Sequence, residues 1–213
     1  GRVIDGIRER EPGALVLGGH SMGSFIALAG AQAHGDKLDG LVLCGSDYHP
    51  PLYYRLMAAL LKWQRRRHGA RGQSPLVHKL TFEAWARSVP DARTDFDWLS
   101  ADPAQVKAYI DDPKCGFQCT TATWLALLSG LADVQSSKGL SRLPARLPIL
   151  LLGGRQDPMS GGGKGMDRLQ QVLSRRRLPV ERMDCPRGRH EILNDFCAPE
   201  VRQTLLEWLN RRI

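Results

Sequence analysis

The stretch Ala14-Leu15-Val16-Leu17-Gly18-Gly19-His20-Ser21-Met22-Gly23 decides the architecture of the chain. Its four apolar residues run from the Pro12-Gly13 break to Gly18-Gly19, as a strand buried in a parallel sheet does. The glycines are expected to end that strand. Ser24–Ala33, rich in Ala, Leu and Ile, then reads as a helix that stops near Gly35. Leu38–Cys44 is a second buried strand, ending at Gly45-Ser46-Asp47. Strand, sharp turn, helix and strand make a βαβ unit. Upstream, Val3–Arg10 has a helical pattern with Val3, Ile4 and Ile7 on one face.

The next hundred residues change character. Pro51–Arg67, Pro75–Ser88, Ala101–Asp111 and Thr120–Lys138 carry helical patterns punctuated by Pro and Gly, and no strong strand pattern. Strand and helix then alternate again: Pro148–Leu152 as a buried strand, a helix within Gly161–Arg177, Val180–Met183 as a strand and Asp195–Arg211 as an amphipathic helix. The expected class is α/β. Residues 1–47 and 144–213 would form a parallel-sheet core, interrupted by a helical insertion over 48–143.

Composition narrows the function classes. The 213 residues are 42% hydrophobic and 24% charged, which excludes a disordered chain, a collagen-like fibre and a disulfide-rich miniprotein. The apolar runs, such as Leu147–Leu152, fall far short of the roughly 20 residues that cross a bilayer. Five cysteines without paired CxxC spacing read as free thiols rather than a zinc site, so a reducing, cytoplasmic setting is expected. The net charge is +8, and 23 of the 30 basic residues are Arg. They cluster at Arg65–Arg67, Arg175–Arg177 and Arg211–Arg212 without interleaved aromatic residues. This reads as solvated surface and not as a nucleic-acid interface. Transient attraction to an anionic lipid surface is left open by the charge, and no obligate protein partner is legible.

Gly19-His20-Ser21-Met22-Gly23 fits the G-x-S-x-G pattern between a strand and a helix. In that context the turn forces Ser21 into a strained conformation and pushes its hydroxyl out at the carboxyl edge of the sheet. The two flanking glycines would give room for close backbones. The Met22 N–H, at a helix N-terminus, is placed to stabilise an oxyanion. A serine nucleophile needs a base. Of His20, His34, His49, His68, His78 and His190, only His190 lies in a loop after the last strand, within Gly188-Arg189-His190-Glu191. His20 is expected to pack and His68 to be solvated. The base in turn needs a carboxylate to set its tautomer. Asp157, after the strand Leu150–Leu152, gives the order Ser, Asp, His; Asp47, after Leu38–Cys44, is the rival acid. Asp184 and Asp195 read as structural. The Gly161-Gly162-Gly163-Lys164-Gly165 run lacks the phosphate-loop spacing and reads as a flexible loop before a helix.

With these motifs on the page, the chain resembles the α/β-hydrolase superfamily, in particular the bacterial lysophospholipase and monoacylglycerol lipase-like group, also called serine aminopeptidase S33-like hydrolases. The elbow motif carries the likeness together with Phe96-Asp97-Trp98-Leu99-Ser100, Asp112-Pro113-Lys114-Cys115-Gly116-Phe117, Gly154-Arg155-Gln156-Asp157-Pro158 and Gly188-Arg189-His190-Glu191-Ile192-Leu193-Asn194. The resemblance implies triad roles for Ser21, Asp157 and His190, and a cap role for the helical insertion. It implies hydrolysis of carboxylic esters of the monoacylglycerol or lysophospholipid type, without cofactor or metal. An S33-like aminopeptidase would need an acidic patch for a substrate ammonium, and Glu83, Asp91, Asp95 and Asp97 are available. A non-catalytic binding module on the same fold is the alternative from another class.

The chain departs from the group at its start. It begins with Gly1 rather than Met, without a signal-peptide pattern, and has about 20 residues before Ser21. The family's early strands and its His-Gly loop, the source of the second oxyanion donor, have no counterpart. The chain is therefore expected to be the later part of a longer hydrolase. Ala14–Leu17 would then be an unpaired edge, and the oxyanion hole half-built.

Overall fold

The computed structural model describes residues 1–213, apart from the side chains of Arg67 and His68, so the expected solvation of His68 lies outside the described residues. Its centre is a four-stranded parallel sheet in the order β1 (Val16–His20), β2 (Gly40–Cys44), β3 (Ile149–Gly154) and β4 (Val180–Cys185). Among the described residues β1 pairs with β2 alone and is an edge, as the sequence led us to expect.

Two strand ends differ from expectation. β1 does not stop at Gly18-Gly19; both glycines stay in the ladder, opposite Val42 and Leu43, and the strand runs to His20. β3 likewise continues through Gly153-Gly154, opposite Asp184 and Cys185. Backbone pairing with a neighbour outweighs the weak strand preference of glycine in a sheet interior.

Helix α1 (Arg2–Arg10) precedes the sheet, and α2 (Met22–His34) joins β1 to β2. Alternate residues of β2 and β3 point to opposite faces. Leu41, Leu43, Ile149 and Leu151 pack with Leu28 and Ala31 of α2 and with Met166, Leu169 and Leu173 of α9 (Lys164–Arg175). On the other face Val42, Cys44, Leu150 and Leu152 meet Val201 and Trp208 of α10 (Ala198–Arg212). At roughly 25 cal/mol per Å² of apolar surface removed from water, these two layers hold the sheet that positions the site. Leu206 of α10 is 55% exposed.

Between β2 and β3 every regular element among the described residues is helical: α3 (Pro51–His68), α4 (Pro75–Leu80), α5 (Phe82–Arg87), α6 (Pro103–Asp111), α7 (Thr121–Val134) and α8 (Ser137–Leu140). Side chains of Ser74, Asp102, Thr120 and Ser136 cap four of these helices by accepting backbone N–H bonds. The Ser136 cap divides the stretch Thr120–Lys138, whose apolar pattern alone looked continuous. A small cluster of Ala58, Leu61, Val77 and Leu125 ties α3, α4 and α7 together. No helix among the described residues is long and apolar enough to cross a membrane.

The cysteines correct an expectation. Cys185, at the end of β4, is disulfide-bonded to Cys197, just before α10, whereas Cys44, Cys115 and Cys119 are free. The two partners are 12 residues apart and share the core on the α10 face of the sheet, a proximity that no CxxC spacing announces.

Candidate active site

The turn between β1 and α2 places Ser21 at φ 54° and ψ −123°, a strained backbone for a residue with a side chain. Its N–H donates to the Cys44 carbonyl at 3.0 Å, which anchors the turn to the end of β2. The first residue of α2 is Met22, so its N–H belongs to the helix N-terminus. Only one of the two flanking glycines is demanded by space. A Cβ on Gly19 would run into the Gly23 carbonyl, whereas a Cβ on Gly23 would have nothing within 4 Å.

His190 Nε2 lies 2.9 Å from Ser21 Oγ, and its Nδ1 lies 3.2 Å from Asp157 Oδ2. Asp157 and His190 are both buried. The other Asp157 oxygen accepts the Met159 N–H at 2.9 Å, which fixes the carboxylate in its loop after β3. Asp47 is also buried but turns elsewhere: it pairs with His49 at 2.9 Å and with Arg168 at 3.3 Å. The carboxylate against His190 is therefore that of Asp157 and not of Asp47. The geometry suits attack by Ser21 Oγ, with proton transfer to His190 and orientation of His190 by Asp157.

Three supports of this arrangement were not legible in the sequence. His20 is more than packing: its Nε2–H donates to the His190 carbonyl at 3.1 Å. Burial, then the neighbouring His190, push its pKa below 6.5. The second support is the segment Asp97–Ala101, which grips the loop carrying His190. The N–H groups of His190 and Glu191 donate to the carbonyls of Trp98 and Leu99. The Arg189 guanidinium reaches the carbonyls of Asp97 at 2.6 Å and Ser100 at 3.0 Å. Asp195 closes the clamp by accepting from the N–H groups of Ala101 and Arg189. The third is the Cys185–Cys197 link, which brackets the His190 loop in the chain. The Asp-Trp-Leu-Ser motif flagged the second support without revealing its partner. The remaining aspartate read as structural, Asp184, pairs with Arg155 and Arg182.

A cavity of about 340 Å³ opens on Ser21 and His190. Phe82, Trp85, Trp124 and Leu128 line it. Leu52, Leu56 and Trp63 of α3 are exposed. A second, smaller cavity of about 120 Å³ lies beside it, and Phe82 and Trp98 line both. Glu83 and Asp95 line the smaller one. Asp97 instead is buried and held by Arg93 and Thr94; burial raises its carboxyl, but these hydrogen bonds win and leave it below the usual value. Gly161-Gly162-Gly163 all have positive φ and form the turn that leads into α9.

Comparison with known proteins agrees with this geometry. No curated protein sequence matches the chain. Among solved structures, a thermostable carboxyl esterase from Bacillus coagulans is 25% identical with a TM-score of 0.86, over 98% of this chain and 68% of that one. A lipase in an open form is 25% identical, with a TM-score of 0.78 over 92% of this chain and 64% of its own. The monoacylglycerol lipase of Paleococcus ferrophilus, also 25% identical, has a TM-score of 0.67 over 100% of this chain and 74% of its own. The chain thus spans about two thirds to three quarters of the length of these proteins. The family model described as serine aminopeptidase, S33, matches residues 2–196. The chain belongs to this serine aminopeptidase S33 family of the α/β-hydrolase superfamily.

Proposed function

We propose that the protein is a serine hydrolase of carboxylic esters, of the monoacylglycerol or lysophospholipid type. The observation that carries this reading is the continuous hydrogen-bonded line from Ser21 Oγ through the His190 ring to Asp157, opening on an apolar cavity. Ser21 attacks the ester carbonyl while His190 takes its proton. His190 then returns the proton to the leaving alcohol, and water releases the acyl group from Ser21 by the reverse route. The Met22 N–H serves as one oxyanion donor. In this reading residues 48–143 are a cap over a core made of 1–47 and 144–213, and the large cavity takes the acyl chain.

A second reading, cleavage of an aminoacyl amide, draws on Glu83 and Asp95 at the smaller cavity, where they would meet a substrate ammonium. A fluorophosphonate probe, followed by peptide mapping, tests the nucleophile. Labelling is expected at Ser21 and absent from Ser21→Ala. Turnover of a panel of p-nitrophenyl esters, monoacylglycerols and aminoacyl amides separates ester from amide chemistry. No labelling of Ser21 in folded protein would overturn the enzyme reading in favour of a binding module.

A further inference from the structure

The net charge of the chain is not spread evenly. Residues 48–82 hold seven Lys and Arg side chains and no Asp or Glu, so this one segment supplies +7 of the net +8. Half of the segment is α3, which carries no carboxylate. The inner face of α3 is taken up by packing, with Tyr54, Ala58, Leu61 and Gln64 buried. Its outer face is apolar. Leu52, Leu56, Ala59 and Trp63 recur at the spacing that makes one line along a helix, and all four are exposed. Leu52, Leu56 and Trp63 are 63%, 58% and 45% exposed.

A basic line runs beside the apolar one. Arg55, Lys62 and Arg66 share a helical face and are exposed. Arg55 and Lys62 also line a groove of about 480 Å³ on the α7 side, together with Lys138. The carboxylate in that groove, Asp133, is paired with Arg142 at 3.6 Å.

The pairing of the two lines selects the partner. A nucleic acid would use the basic line and leave the apolar one in water. A second copy of the chain, docked through the same face, would bring two carboxylate-free basic segments together. A bilayer with anionic lipid uses both lines. The leucines and the indole enter among the upper acyl segments, and the Arg and Lys heads stay level with the phosphates. We infer that the outer face of α3 is a docking surface for an anionic lipid bilayer, with the helix lying in the plane of the interface. Tyr53, exposed on the same helix, lines the large cavity that opens on Ser21. Docking therefore brings that cavity to the bilayer, where an ester with one long acyl chain resides. That consequence rests on the ester-hydrolase reading; the docking does not.

The test uses Ser21→Ala, which removes hydrolysis of vesicle lipid under the ester-hydrolase reading. Cosedimentation is compared for vesicles of phosphatidylcholine alone and with about one third phosphatidylglycerol. Binding to the mixed vesicles is expected to be at least about tenfold tighter, and to weaken as salt is raised from ~0.05 M to ~0.5 M. Leu52→Ser combined with Leu56→Ser is expected to weaken binding to the mixed vesicles at least about tenfold. Arg55→Gln combined with Lys62→Gln is expected to lower the preference for them at least about threefold. All four side chains are exposed, so the unfolding midpoints should stay at that of the parent. Equal binding to both kinds of vesicle, or binding that the leucine variant leaves intact, would overturn the docking surface. So would tighter binding to a single-stranded oligonucleotide than to the mixed vesicles, or a dimer that the leucine variant dissociates while vesicles stay unbound.

Discussion

His20 Nε2–H donates to the main-chain carbonyl of His190, so the residue before Ser21 holds in place the residue whose ring meets Ser21. Ser21 and His190 are thereby tied twice, once through their side chains and once through the His20 side chain and the His190 backbone. The ring is half-buried, and burial first and His190 second hold its pKa below the usual histidine value.

That depression makes stability depend on pH. The folded chain binds the His20 proton less readily than the unfolded chain, whose histidine titrates near 6.5. The contribution of neutral His20 is therefore fully present above 6.5 and is lost as pH falls from there through the lowered folded value. Denaturant unfolding at pH 7.5 and pH 5 should show a smaller loss for His20→Gln, which can still donate and does not titrate. An equal loss in both proteins would show that another group carries the effect.

Asp157 and Asp47 should separate cleanly in kinetics. Asp157→Asn leaves the packing in place but favours the wrong His190 tautomer, and a fall of about 10⁴ in kcat is expected. Asp47→Asn breaks its pairs with His49 and Arg168 without touching His190, and a fall of less than about tenfold is expected. The reverse ranking would return the acid role to Asp47.

The two glycines of the elbow should differ. Gly19→Ala forces a methyl group against the Gly23 carbonyl, and overpacking of this kind costs about 1–3 kcal/mol. Gly23→Ala meets open space and should change the unfolding midpoint little. Equal midpoints for the two variants would show that the turn yields more readily than its geometry implies.

Thiol titration checks the cysteine pairing. Three thiols, those of Cys44, Cys115 and Cys119, should react in denaturant before reduction, and five after it. In the native protein Cys44 should resist alkylation at pH 8, because burial pushes its thiol up to about 12 and leaves almost no thiolate. Five reactive thiols before reduction would contradict the link between Cys185 and Cys197.

Much of this molecule is legible in its sequence because the deciding signals are local. A continuous apolar run such as Leu41-Val42-Leu43 can be satisfied in a βαβ unit only by burial on both faces. A serine between that kind of strand and a helix, flanked by glycine, has few backbone conformations open to it, and φ 54° at Ser21 is one of them. Strand ends also order Asp157 and His190 along one sheet edge, so their meeting with Ser21 could be anticipated. What the tertiary structure alone decided depends on partners far apart in the chain. Asp157 and Asp47 each follow a strand, and only the packed loops turn the first to His190 and the second to Arg168 and His49. His20 looked like filler because its acceptor is 170 residues away. Glycines that appeared to end β1 and β3 remain in the sheet because a neighbouring strand completes their hydrogen bonds. Trp98 reads as one more apolar residue, and only packing buries its indole N–H without a partner among the described residues. Local preference sets which elements form; the burial of polar groups between distant segments sets what they face.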